Sequence, residues 1–221
     1  MKGLMIKDLR ILKSQSRSMI LLLAMVLVLG FSMDHTFVVS YCPMVAALLV
    51  LSTIAYDYLD NGLSFLMTMP VSQKQYAVEK YVFSGIGIFL AWFFSIGLQT
   101  AMILLRHEQV DPKVILLTDA LLFPVFLLII SIMIPVDLKY SPEKGRIVMF
   151  FIFGIIMICA IVGRQILGFL AAKMNLDTAK LLSGLQSVSP WEMIIAAYIF
   201  TAAILLISLS ISIQIMRKKE F

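Results

Sequence analysis

Few residues in this chain could carry out bond chemistry. It has two histidines, His35 and His107, and two cysteines, Cys42 and Cys159. No H-E-x-x-H string and no paired-Glu-plus-His set occurs, which points away from metal catalysis. No G-x-x-x-x-G-K-[ST] string occurs either, so the chain has no phosphate-cradling loop of its own. The cysteines stand inside apolar runs and read as small buried hydrophobes, with no spacing that suggests a metal site. Asp119 and Arg164 are the ionisable groups that interrupt long apolar runs. Each stands near one end of its run, from where it could snorkel toward water. Ser95, Gln99 and Thr100 in one run, and Ser208, Ser210, Ser212 and Gln214 in another, are read as helix–helix hydrogen-bonding groups. Gly85, Gly87, Ala91, Gly163 and Gly168 are read as positions of close helix approach.

The elements that hold these residues follow from composition. The chain has 221 residues, of which 61% are hydrophobic and 14% charged, with a mean hydropathy of +1.00. Soluble domains are about 45–50% apolar and about 25% charged, so an ordinary soluble domain is excluded. Charge-free stretches of 16, 22, 25, 17, 17 and 24 residues follow Arg17, Asp34, Lys80, Asp119, Arg146 and Glu192. A bilayer-spanning helix needs roughly 20 such residues. The expected fold class is all-α integral membrane, a single permease-like domain over 1–221 with six spans. These are Ser18–Met33, Phe37–Tyr56, Tyr81–Leu105, Val114–Val136, Ile147–Gly168 and Trp191–Ile215. No cleavage-site pattern follows the first run, so it is read as a retained span. Too little chain remains for a nucleotide-hydrolysing domain, which would need on the order of 100–200 further residues.

Orientation follows from the cations. With the N-terminus in the cytoplasm, 13 of the 18 Lys and Arg residues face inward and five outward. Both termini are therefore expected to be cytoplasmic. The net charge of +5 is then a topology signal, and nucleic-acid binding is not expected. Residues 1–17 read as an amphipathic elbow helix in the membrane interface. Met1, Leu4, Met5, Leu9, Ile11 and Leu12 gather on one side and Lys2, Lys7, Arg10, Lys13 and Arg17 on the other, while Ile6 and Asp8 break the pattern. Such a helix could pack beside a partner subunit or serve as a plain anchor.

The inner loop 57–80 carries the clearest local signals. Asp60 can cap a short helix. Leu63, Leu66 and Met67 follow at helical spacing beside Phe65, and Pro70 stops it. Ser72 with Gln75 forms a capping box for the helix that leads into the third span. The short helix is expected to have too little protein of its own to cover its apolar face, so it lies on the bilayer or docks in a partner's groove. The segment 164–190 mixes Phe169, Leu170, Leu176, Leu181, Leu182 and Leu185 with Lys173, Asp177 and Lys180. It is expected to form short helices capping the outer side. There Leu182-Ser183-Gly184-Leu185-Gln186 looks like an ATPase signature string, a coincidence on a side without ATP.

The run Asp57-Tyr58-Leu59-Asp60-Asn61-Gly62-Leu63-Ser64-Phe65-Leu66-Met67-Thr68-Met69-Pro70-Val71-Ser72, continuing to Glu79-Lys80-Tyr81, resembles the first cytosolic loop of bacterial ABC exporter permeases of the type-two class. Pro135-Val136-Asp137-Leu138-Lys139-Tyr140-Ser141-Pro142-Glu143-Lys144-Gly145-Arg146 is similar to that family's second cytosolic loop. Gln73 and Ser141-Pro142 depart from the family pattern. The elbow and the six-span layout extend the resemblance over the whole chain. The nearest-looking relatives include permeases of phenol-soluble modulin and antimicrobial-peptide exporters.

The resemblance implies that the 61–69 helix is a coupling helix seated in an ATPase subunit. Its contact residues would be Asp57, Asp60, Asn61, Gly62, Phe65, Leu66, Met69, Pro70 and Ser72. The second loop would contribute Lys139, Tyr140, Glu143, Lys144 and Arg146, and the elbow Lys7, Arg10 and Lys13. The chain would bind no cofactor itself, since ATP and Mg would belong to the partner. The working assembly would pair two ATPase subunits with this permease and a second copy or paralogue in the bacterial cytoplasmic membrane. Amphipathic or antimicrobial peptides, or other hydrophobic compounds, would be the exported class. The 15 Met and 15 Phe residues suit an adaptable apolar substrate. An ion-coupled carrier, or a non-transporting immunity or scaffold protein, is the alternative.

Overall fold

The computed structural model describes residues 2–32, 35–59, 62–173 and 189–219. The side chains of 141–143, 146, 149, 152–153, 156–161 and 163–173 lie outside that description. The described residues form seven helices: α1 Lys2–Ser14, α2 Ser16–Ser32, α3 Thr36–Tyr58, α4 Gly62–Thr68, α5 Gln73–Arg106, α6 Pro112–Lys173 and α7 Pro190–Lys218. No strand occurs among them. Four helical segments are long and apolar enough to cross a membrane: Thr36–Tyr58, Gln73–Arg106, Pro112–Tyr140 and Pro190–Lys218. The pair α1 and α2, bent by 67° about Gln15, is a fifth candidate. The expected fifth span, Ile147–Gly168, is helical, but most of its side chains are outside the described set.

Contacts between helix ends define two ends of the bundle. At one end Arg106 donates to the carbonyls of Gly30 and Phe31 and pairs with Glu108, which also meets His35. That joins the α2–α3 tip to the end of α5. At the other end the Tyr58 hydroxyl donates to the Leu138 carbonyl at 2.8 Å, and Lys219 Nζ lies 2.5 Å from the same hydroxyl. That joins the ends of α3 and α7 to α6. We call the second end the α4 end, because α4 follows directly from α3 there.

At 62 residues, α6 would be about 93 Å long if straight, roughly three times the hydrocarbon thickness of a bilayer. It is not straight. A Cβ built on Gly145 would stand 2.6 Å from Asp137 Oδ1 and 3.7 Å from its Cα. Residues eight apart in a straight helix are separated by about 12 Å. The chain therefore bends back on itself between Asp137 and Gly145. Pro142, which cannot donate its backbone nitrogen, lies within that stretch. The sequence suggested a loop here; helical backbone instead continues through the bend. The order of contacts agrees with a return. Tyr198 stacks on Phe123, Ser208 donates to the Ser131 carbonyl, and Lys219 bonds the Leu138 carbonyl. Thus α7 runs parallel to the first half of α6, and the chain must travel back before α7 begins.

The core sits toward the α4 end and is built from Leu51, Ile54, Tyr76, Ile88, Ile130, Ile134, Leu138 and Met216. Two glycines set close approaches. A Cβ on Gly30 would meet Val38 Cγ2 at 2.6 Å, and one on Gly87 would meet Val50 Cγ2 at 3.0 Å. Gly85, read from sequence as a packing position, has nothing within 4 Å; Gly163 and Gly168 lie outside the described side chains.

Asp119 also differs from expectation. It does not reach toward water: it is 3% exposed on α6, and the Trp92 indole donates to its backbone carbonyl at 3.0 Å. Burial toward α5 spares the lipid-facing side of the helix a charge. Arg164 is outside the described side chains, as are residues 174–188 of the expected outer cap; residues 164–173 continue α6.

Candidate functional site

The site is assembled around α4 from the middle of α1, the end of α3 and the start of α5. The last of these, α5, begins with the expected capping box: Ser72 Oγ accepts from the Gln75 backbone at 3.2 Å and Gln75 Oε1 accepts from the Ser72 backbone at 3.1 Å. Satisfying these free donors lets α5 start right after Pro70. Its first turns then carry Tyr76, Glu79 and Lys80 inward, all fully buried. The end of α3 supplies Thr53 and Asp57, and α1 supplies Lys7 and Asp8.

These side chains form one ion network. Lys80 Nζ stands 2.5 Å from Asp8 Oδ2, 3.0 Å from Asp57 Oδ2 and 3.1 Å from Thr53 Oγ1. Lys7 Nζ is 2.9 Å from Asp8 Oδ1 and also pairs with Asp57. The Tyr76 hydroxyl donates to Asp57 Oδ2 at 2.8 Å, and Lys80 lies 5.2 Å from the centroid of the Tyr76 ring. Two ammonium groups thus balance two carboxylates. Burial pulls the Lys7 pKa down, but the Asp57 and Asp8 carboxylates more than reverse that and hold it above the ordinary range. Glu79 adds a fifth ionisable group whose two oxygens have no hydrogen-bond partner among the described residues. Desolvated charges hold together only as a matched set, so removing one member leaves its partner uncompensated. The network therefore locks α1, the end of α3 and the start of α5 into one body.

On that body α4 is held by its own apolar face. Leu63 is 4% exposed, and Leu66 and Met67 pack against the core. This corrects the sequence expectation that the chain could not cover that face. What remains outside is Phe65 at 66%, Met69 at 47% and the preceding Leu59 at 58%. A Cβ on Gly62 would lie 3.1 Å from the Asp57 carbonyl, so the first turn of α4 rests on the end of α3.

The residues singled out from sequence separate accordingly. Phe65, Met69, Pro70 and Ser72 are exposed and lie together around α4, with Gly62 and Leu66 partly covered beneath them. Asp57 is 6% exposed and faces the ion network instead of the surface. Asp60 and Asn61 lie outside the described residues. In α1, Lys7 joins the network while Arg10 and Lys13 are exposed. Lys139, Tyr140 and Lys144 are exposed near the bend in α6, and the side chains of Glu143 and Arg146 are outside the described set.

Sequence reading missed the roles of Asp8, Thr53, Tyr76, Glu79 and Lys80. The signal available was Asp8 breaking an otherwise two-sided helix, and the Glu79-Lys80 pair at the threshold of a long apolar run. The apolar side of α1 is also rotated from expectation: Leu4 and Asp8 face inward, whereas Leu9 is 57% exposed.

No group of three or more His, Cys, Asp or Glu side chains that could hold a metal ion occurs among the described residues. The site's described ion pairs and hydrogen bonds tie α1, α3 and α5 to one another. No curated protein matches the chain. No solved structure matches it either. Residues 3–217 match the family described as ABC-2 family transporter protein, nearly the whole chain, and the chain therefore belongs to that family of multi-pass membrane permeases.

Proposed function

We propose that this chain is the permease of an ATP-driven exporter, moved by a separate ATPase subunit that grips α4. The observation that carries this is the asymmetry of α4. Its inner face is fixed to the bundle by Leu63, Leu66 and Met67, while Phe65 and Met69 project from the α4 end. An aromatic and a thioether on a short anchored helix suit an apolar groove in another protein. Family membership supports the same reading, since ABC-2 permeases work with an ABC ATPase.

In this reading the α4 end faces the cytoplasm, both termini lie there, and α1 is an elbow in the membrane interface. Six passes cross the bacterial cytoplasmic membrane. Two ATPase subunits, which carry ATP and Mg, act on this permease and a second copy or paralogue. A push on Phe65 would reach α1, α3 and α5 together through Lys80, Asp57 and Asp8. The exported class is amphipathic or antimicrobial peptide, or another hydrophobic compound. An apolar cleft lined by Met19, Leu23, Val26, Val45, Leu49 and Phe94 among others supports an apolar cargo.

The test is co-expression with a candidate ABC ATPase subunit. The ATPase should co-purify with the wild-type chain, and its hydrolysis rate should change when the permease is present. Phe65→Asp should abolish both effects. Co-purification and hydrolysis unaffected by Phe65→Asp would refute the coupling role of α4.

A further inference from the structure

A cleft of about 500 Å³ opens at the α4 end between α6 and α7, away from the ion network. Its wall is mostly apolar, with Val136 on α6 and Ile211 and Ile215 on α7, and one amide, Gln214. At its mouth stand Lys139, Tyr140 and Lys218. Lys139 lies 4.9 Å from the centroid of the Tyr140 ring, and Lys139 and Lys218 are both exposed. No described carboxylate lines the cleft, and neither lysine has an ion-pair partner among the described residues. The next cation after Lys218, Lys219, is already engaged with the Leu138 carbonyl and the Tyr58 hydroxyl.

The order of these groups along α7 describes the ligand. Ile211 precedes Lys218 by seven residues, about 10 Å of helix. An occupant must therefore present negative charge at the mouth and hydrocarbon over the first two turns inward. We infer that this cleft is a binding site for an anionic phospholipid, its headgroup phosphate between Lys139 and Lys218 and its acyl chain along Ile215 and Ile211. Basic pockets between helices at a membrane surface recognise such headgroups, whereas scattered lysines attract them without fixing a position. The inference rests on the chain spanning a membrane and not on its coupling to an ATPase.

The test is native mass spectrometry of the full chain released from mixed micelles holding phosphatidylglycerol and phosphatidylcholine of equal chain length. The wild type should retain phosphatidylglycerol over phosphatidylcholine by about thirtyfold, as two surface lysines can supply. Lys139→Gln with Lys218→Gln should erase that preference. Lys74→Gln with Lys113→Gln, exposed lysines outside the cleft, should keep it. Ile211→Trp, which fills the wall but leaves the charges, should reduce retention of bound lipid. Glycerol phosphate without acyl chains should fail to displace the lipid. Equal retention of the two lipids would overturn the inference, as would a preference that survives loss of Lys139 and Lys218. So would equal loss in the Lys74 and Lys113 variant, or retention untouched by Ile211→Trp. Displacement by glycerol phosphate would make the site one for a free phosphate ester and overturn the lipid assignment.

Discussion

Lys80 and Asp8 face each other at 2.5 Å, both wholly buried, across 72 residues of sequence. The contact joins the first helix of the chain to the start of α5, and Asp57 draws the end of α3 into the same group. The loop bearing α4 leaves from α3 and returns to α5, so both of its anchor points belong to this cluster. In the proposed coupling, a load applied at α4 would be shared by three helices instead of bending one.

Removing one member of that set should be costly. Lys80→Met leaves Asp8 and Asp57 with too little positive charge in a buried place, and should destabilise by about 3–5 kcal/mol. Combining it with Asp8→Leu should restore part of the loss, because the uncompensated charge goes with it. Equilibrium unfolding in detergent, run as a double-mutant cycle, checks this. Additive losses would show that the two side chains do not interact.

Phe65 and Leu63 are neighbours with opposite roles. Leu63→Asp places a charge against the core and should abolish folding, seen as loss of a cooperative melt. Phe65→Asp changes a side chain that is 66% exposed and should leave the melting midpoint within a few degrees. The pair separates a structural face from a contact face on a helix of seven residues.

The glycines make a graded series. Gly30→Ala would force a methyl to 2.6 Å from Val38 Cγ2 and 2.9 Å from Met102 Cε. It should destabilise by about 1–3 kcal/mol through overpacking. Gly85→Ala meets nothing within 4 Å and should be neutral or stabilising by up to ~1 kcal/mol, since alanine is the better helix former. Melting midpoints of the two variants in one detergent give the comparison.

At the opposite end, the hydrogen bond from Arg106 chiefly holds the Glu108 carboxyl below the usual glutamate pKa, and His35 adds to it. A lowered carboxylate pKa means that this tie is fully present above the ordinary value of 4.5 and dissolves as pH falls through the lower folded value. Hydrogen-exchange protection at the backbone N–H groups of His107 and Glu108 should be steady above pH 5 and fall toward pH 3. In Glu108→Gln it should be low at both. Protection in the variant equal to that of the wild type at pH 5 would show that the carboxylate is not what fastens this end.

How much of this could be read from sequence depended on the distance between partners. The capping box of Ser72 and Gln75, the stop at Pro70 and the short helix between Gly62 and Thr68 follow from residues within a few positions of one another, and local chemistry decides them. The four long spans and the bent α1–α2 pair follow from the spacing of charges. The inward turn of Asp57, the burial of Asp8 and the covered face of α4 depend on Lys80, Lys7 and the core beside Tyr76. Those partners lie far away in sequence, and no periodicity points to them. Asp119 misled for a related reason: a carboxylate near a helix end can reach water, but the face it occupies turns toward α5. The bend between Asp137 and Gly145 was legible as an interruption, although its helical backbone was not.

The central claim is that α4 lies in the cytoplasm, where an ATPase can hold it. Phe65→Cys, made together with Cys42→Ser and Cys159→Ser, places one thiol on the exposed face of α4 for labelling with a membrane-impermeant maleimide. Labelling is predicted in inside-out vesicles, blocked when the ATPase subunit is co-expressed, and absent in intact cells. Labelling of intact cells, or labelling of inside-out vesicles that the ATPase fails to block, would contradict the account.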